Sequence, residues 1–177
     1  MMDSHVPLFR RRTAIGMVFA VTAVLWGCQT TPGASAKHKA KALSAAQVTA
    51  LRAMGFVEEE QGWTLNISDS KLLFESGQDV LSTTGRRIVS DLARGLMQNG
   101  LDRIRVEGHT DNVGGQEFNK ALSSRRAQHV AGQFEHSGFS DRHISRASFG
   151  MDKPIADNAT AEGRAQNRRV SLIVVVE

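Results

Sequence analysis

Val106 to Ala127 reads VEGHTDNVGGQEFNKALSSRRA, and the parsing of this stretch decides the fold. Its opening belongs to a strand. Ile104, Val106 and Gly108 alternate with Arg103, Arg105 and Glu107, the period-two pattern of a sheet with one apolar face. A polar, glycine-bearing loop follows from His109 to Gly115. Asn119 is then the expected N-cap of a helix, whose Leu122, Ala127, Val130, Ala131 and Phe134 share a face. A loop running into a helix N-terminus presents free backbone N–H groups and suits an anionic ligand. This one also carries Asp111, and the helix offers Arg126 fifteen residues later. The two can pair with each other, as surface ions commonly do, or they can grip the two ends of a zwitterion.

Outward from that core the same logic holds. Leu65, Ile67 and the run Leu72 to Phe74 suggest one or two strands before it. Ser82 is a candidate N-cap for a helix in which Ile88, Leu92 and Leu96 recur at four-residue spacing, and Gly100 can end it. After it, Gly138 closes the second helix and Ile144 to Phe149 makes a short strand. Pro154 to Asn167 reads as a loop with a helical turn, and Val170, Leu172, Val174 and Val176 alternate as a final strand. Helices between strands predict an α/β two-layer sandwich with one mixed sheet.

The N-terminus reads as an export address. Arg10, Arg11 and Arg12 precede an apolar run from Thr13 to Trp26. As a helix that run would span about 21 Å, short of the roughly 30 Å hydrocarbon core of a bilayer. Cys28 is the only cysteine, so an intrachain disulfide and a multi-thiolate zinc site are both excluded. Gln29 to Ala46 is small, polar and basic, with Pro32 and Gly33, and reads as a flexible tether. In QVTALRAMGFVEEEQGW, from Gln47 to Trp63, Val48, Leu51 and Met54 form a short helical stripe that Gly55 stops. Leu51, Phe56 and Trp63 are then either a flap packed on the domain or a detachable surface for a partner, since aromatics make effective interface anchors.

Composition excludes several function classes. The formal net charge is only +4, and three arginines against one acid in the first 27 residues account for half of it. No basic stripe with interleaved aromatics is present, so nucleic acid is not an expected partner. Neither a Gly-x-Ser-x-Gly elbow nor a Walker phosphate loop occurs. His109 beside Asp111 reads as a structural hydrogen-bonder, and His5, His38, His129, His136 and His143 lack metal-ligand spacing. The expectation is a binding protein, not an enzyme, with no cofactor and no metal.

Two separated motifs carry a resemblance. GHTDNVGGQEFNKALSSRRAQHV and the downstream PIADNATAEGRAQNRRV resemble the peptidoglycan-binding module shared by OmpA C-terminal domains and Pal lipoproteins, over roughly Leu72 to Val175. The resemblance implies a βαβαβ-type sandwich whose ligand is the diaminopimelate arm of the cell-wall peptide, which carries an ammonium and a carboxylate together. It implies that Asp111 takes the ammonium and Arg126 the carboxylate, with Thr110, Asn119 and Arg168 lining the pocket. Glu75-Ser76-Gly77 departs from the family, which often has an Asn or similar polar residue there. Leu25-Trp26-Gly27-Cys28 resembles a lipobox, with Trp26 where a small residue is usual, and implies lipidation of Cys28. Gln29 after it, in place of an aspartate, implies the outer membrane, facing the periplasm.

The whole arrangement is similar to the YfiB branch of the family. That branch implies capture of a periplasmic YfiR-like protein, which activates a diguanylate cyclase and raises cyclic-di-GMP, and it assigns partner contact to Leu51, Phe56 and Trp63. A Pal-like tether to Tol proteins is the alternative, and a cell-wall hydrolase a more remote one. The expected plan is a signal over 1–27, lipidated cysteine and tether over 28–46, a partner-binding segment with a short N-terminal helix over 47–63, and the wall-binding domain over 64–177.

Overall fold

The computed structural model describes residues 42–68, 73–75 and 78–176; the signal, Cys28, most of the tether, and the departure at Ser76 and Gly77 lie outside these residues. The expected central strand is β3 (Ile104–His109), and its alternation sorts the sheet into two faces. The last strand, β5 (Arg169–Val174), runs antiparallel to it, with Val106 opposite Leu172 and Ile104 opposite Val174. On the other side of β5, β2 (Gly62–Ser68) adds Trp63, Leu65 and Ile67 to the same apolar face. β4 (Ile144–Gly150) pairs parallel to β3, as a strand reached through a crossover helix must.

A fifth strand went unread in the sequence. β1 (Val57–Glu59) pairs antiparallel with β2 in a tight hairpin, Glu59 opposite Gly62, and the sheet order is β1-β2-β5-β3-β4. All three β1 residues are exposed, so no inside–outside alternation marked it as a strand. The result is one mixed sheet with helices packed on its apolar side.

The helices follow their expected signals, with two shifts. α1 (Ala45–Ala53) begins inside the stretch read as tether, because Ser44 and Gln47 form a reciprocal capping box. α2 (Thr83–Gln98) is capped by Ser82, whose hydroxyl accepts from Gly85 N at 2.8 Å. α3 (Gln116–His136) starts earlier than expected, with Gly115 as its N-cap. Gly114 at φ 95° turns the chain there, a conformation open to glycine at little cost. Asn119 therefore lies within the helix, buried, and does not cap it. α4 (Ala161–Asn167) is the helical turn foreseen before β5.

Where α3 lies on β3, the backbones nearly touch. A Cβ on Gly108 would sit 2.0 Å from the carbonyl oxygen of Ser123. Only glycine permits that approach. Ser123, fully buried, accepts from Gly150 N at 3.0 Å and so also fixes the end of β4.

The core joins both layers. Val106, Leu172 and Val174 of the sheet meet Val89, Ala93 and Leu96 of α2 and Val130, Ala131 and Phe134 of α3 in a single cluster. Leu51, Phe56 and Trp63 belong to the same cluster at 0%, 2% and 5% exposure. Of the two arrangements, a packed flap and a detachable partner surface, the structure holds these residues in the first. The packed alternative is what forms, because apolar burial of this size favours the core by about 1.5–3 kcal/mol per side chain. Gln47 reinforces it by donating to Asn99 O at 3.0 Å, at the far end of α2. α1 thus joins the common core and β1 the common sheet.

Candidate functional site

The loop after β3 is held rigidly despite its polar sequence. Thr110 N donates to Gly150 O at 2.8 Å, fixing the loop's start to the end of β4. Asp111 Oδ1 accepts from Val113 N at 3.1 Å, and Val113 O accepts from the Asn119 amide at 3.0 Å. Asn119 thus ties the loop to the first turns of α3. These bonds settle Asp111 in place, with only 10% of its side chain accessible. The Thr110 hydroxyl is buried without a hydrogen-bond partner among the described residues, an arrangement that costs roughly 1–3 kcal/mol until something pairs with it.

The carboxylate of Asp111 has its ionic partner in Arg168, not Arg126: Arg168 Nη1 lies 2.8 Å from Asp111 Oδ2. Arg168 is the C-cap residue of α4. The residue before it, Asn167, is fully buried and bonds in four directions. Its Oδ1 accepts from Ile155 N at 2.8 Å and Ala156 N at 3.0 Å, while its Nδ2 donates to Ala156 O at 2.8 Å and Asn158 Oδ1 at 2.9 Å. Asn167 therefore knots the loop before α4 and sets the backbone from which Arg168 reaches Asp111. Sequence reasoning passed over Asn167; an asparagine directly before two arginines was the available signal.

Arg126 is buried on α3 and faces a different wall. Its guanidinium lies 5.0 Å from the Phe74 ring centroid, and Nη2 donates to Gln78 O at 3.2 Å. The adjoining segment is clamped by the same helix: Arg125 pairs with the Asp79 carboxylate, and His129 Nδ1 lies 2.5 Å from Asp79 O. The Arg125 hydrogen bond, with its charge, holds the Asp79 carboxyl below the usual value. Gly85 anchors the far side of this wall, since a Cβ there would lie 2.1 Å from Leu73 O. The wall of Phe74, Gln78 and Asp79 was missed in the sequence, where only Phe74 stood out, as part of an expected strand.

Behind the loop, His109 is 1% exposed. It is not the hydrogen-bonder expected: neither ring nitrogen has a hydrogen-bond partner among the described residues. It stacks on Phe149, centroids 5.4 Å apart at 17°, and Lys153 Nζ lies 3.6 Å from that ring's centroid. Burial first, then the charges of Arg169 and Lys153, push its pKa down to about 3. It is neutral at ordinary pH. Among the described residues, no group of three His, Cys, Asp or Glu side chains could hold a metal ion.

Residues 73–168 match the model of the OmpA family. The chain belongs to this family. It is 40% identical over 160 residues to the outer-membrane lipoprotein YfiB of Pseudomonas aeruginosa, covering 90% of this chain and 91% of that one. It is 34% identical over 152 residues to the lipoprotein YfiB of Escherichia coli, with 85% and 89% covered. Among solved structures, the cell wall anchor of the T6SS from Pseudomonas aeruginosa superposes with a TM-score of 0.61 at 25% identity, over 78% of this chain and all of that one. The chain is thus a YfiB-like outer-membrane lipoprotein with an OmpA-like domain. No helix among the described residues is long and apolar enough to cross a membrane.

Proposed function

We propose that this protein binds the diaminopimelate arm of the cell-wall peptide non-covalently and performs no catalysis. The observation that carries the reading is Asp111: a nearly buried carboxylate, fixed by its own loop and paired with the Arg168 guanidinium at 2.8 Å. Asp111 accepts the ligand's ammonium and Arg126 binds its carboxylate, each a charge-assisted hydrogen bond. Thr110 supplies a hydroxyl that lacks a protein partner among the described residues. Lipidated Cys28 holds the domain at the outer membrane, and the tether lets it reach the wall. Likeness to a protein described as a cell wall anchor supports this reading.

Co-sedimentation with purified sacculi tests it. Asp111→Ala and Arg126→Ala should each weaken binding by about 2–5 kcal/mol, since each leaves the opposite ligand charge unpaired. Unchanged pelleting of both variants would sink the assignment. Soluble wall fragments released from the sacculi would instead make the protein a hydrolase.

The second half of the proposal is signalling: capture of a periplasmic YfiR-like protein, relieving inhibition of a diguanylate cyclase. The likeness to YfiB lipoproteins over nine tenths of the chain supports it. Because Leu51, Phe56 and Trp63 are buried, they contact a partner only if α1 and the hairpin loosen from the domain. A pull-down from periplasmic extract, wild type beside Trp63→Ala, distinguishes the outcomes. Capture of a YfiR-like protein that changes with the substitution supports signalling. Recovery of Tol components would make the protein an envelope tether, and wall fragments alone would make it a static anchor.

A further inference from the structure

Two methionines far from the binding loop in sequence each rest on a glycine of another element. A Cβ built on Gly95, within α2, would lie 2.8 Å from Met54 Sδ, so the thioether sits directly against the helix backbone. A Cβ on Gly138, just past α3, would meet Met97 less tightly, 3.4 Å from its Cε and 3.5 Å from its Sδ. Met54 is half-buried and is the C-cap residue of α1. It stands between Leu51 and Phe56, and the bond from Phe56 N to Leu51 O, at 2.9 Å, closes the helix around it. α1 has only nine residues, too few to persist without packing. Its hold on α2 therefore depends on three contacts: Leu51 in the core, Gln47 on Asn99 O, and Met54 on Gly95. The polar groups at this junction are already committed. Asn99 Nδ2 donates to Gly95 O at 2.8 Å, and Gly95 N lies inside the α2 helix.

We propose that Met54 is an oxidation site, and that its conversion to the sulfoxide releases α1 from α2. The co-reactant is a two-electron oxidant of the hydroperoxide class, small enough to reach a half-buried sulfur. A sulfur lone pair attacks the terminal peroxide oxygen, and the S–O bond forms as the O–O bond breaks. The departing oxygen takes up the hydroxyl proton and leaves as water or an alcohol. The sulfur loses two electrons and the peroxide gains them. The product is polar where the thioether was apolar. Its oxygen requires a hydrogen-bond donor, the Gly95 backbone offers none, and turning the oxygen to solvent draws the side chain off the helix. The same change elsewhere has less to move: Met97 joins helices of 16 and 21 residues, and Met151 lies in the turn after β4. The site stands on this packing alone. Its bearing on partner capture rests on the signalling reading, because α1 carries Leu51 and leads into Phe56 and Trp63.

The test treats the full chain in detergent with hydrogen peroxide, locates sulfoxides by mass spectrometry, and follows amide hydrogen exchange over residues 45–53. Exchange there should quicken by roughly tenfold or more once Met54 is oxidised, as for a short element that loses its docking, while α2 and α3 keep their protection. Met54→Leu, close in volume and inert to peroxide, should abolish the response, and Met97→Leu should keep it. A methionine sulfoxide reductase with dithiothreitol should restore slow exchange. Unchanged exchange after Met54 is oxidised would overturn the proposal. So would a Met54 that stays a thioether while Met97 and Met151 oxidise, or a Met54→Leu protein that responds like wild type. Faster exchange in α1 with unaltered capture of a YfiR-like protein upholds the oxidation site and counts against the signalling reading alone.

Discussion

The loop from Thr110 to Gly115 and the segment from Ala45 to Trp63 solve the same problem by opposite means. Each is a short stretch that must hold a defined position. The loop does it with directed polar contacts: Thr110 to Gly150, Asp111 to Val113, Val113 to Asn119, Asp111 to Arg168. The N-terminal segment does it by burial, with Leu51, Phe56 and Trp63 inserted into the common core. Directed contacts fix the orientation of a few atoms but contribute little net free energy, about 0.5–1.5 kcal/mol each. Apolar burial contributes more and specifies orientation less. The loop is therefore suited to reading a ligand's charges, and the segment to governing whether the N-terminal part stays docked.

Four measurements can break or sharpen that contrast. Phe56→Ala should have the largest effect, costing about 3–5 kcal/mol of stability in denaturant unfolding, because it empties a fully packed site. A loss under about 1 kcal/mol would mean the segment is not part of the core, as an exposed substitution would show.

Acid comes next. His109 takes up a proton near pH 6.5 when unfolded but only near pH 3 when folded. Its contribution is complete above pH 6.5 and is lost as the pH falls toward 3, at up to roughly 1.4 kcal/mol per pH unit. Asp79, with its lowered pKa, is lost in the same direction below its ordinary value of 3.8. Unfolding followed from pH 7 to pH 4.5 should show the slope in wild type and a flatter one in His109→Phe, which keeps the stack on Phe149. Parallel slopes would mean that His109 titrates normally in the fold.

Asn119→Ala should cost about 0.5–1.5 kcal/mol, since it removes the part-buried hydrogen bond to the Val113 carbonyl. The loss should appear in wall binding as well as stability, because Asp111 loses its frame. Wall binding that stays at wild-type strength would show that the loop is set without α3. The smallest effect is expected for Asp79→Asn. Its pair with Arg125 is partly exposed, and such pairs contribute about 0–1 kcal/mol. A thermal midpoint displaced by many degrees would show that the clamp on the Gln78 wall carries far more of the fold than exposed ions usually do.

Several of these features were legible before any coordinates. Ser82 at a helix start followed from local hydrogen bonding, and Gly138 at a helix end from glycine's tolerance of positive φ, which it adopts at 109°. The alternation of Val170, Leu172 and Val174 gave the last strand. Each depends on neighbours within a turn or a strand. Asn119 was misplaced because an asparagine preceding an apolar stripe is a cap signal, and the competing Gly114–Gly115 turn outweighed it. β1 was missed because all of its side chains face solvent.

The sequence by itself determined that a strand runs into a charged glycine loop and then a helix, and that Asp111 and an arginine would stand near one another. Local periodicity and the chemistry of side chains suffice for that. Tertiary structure alone decided which arginine. Arg168 meets Asp111 across 57 residues of chain, while Arg126 turns to Phe74 and Gln78. It also decided that Leu51, Phe56 and Trp63 face inward. An apolar stripe records that a residue seeks burial; which surface buries it is set by how distant elements close around one core.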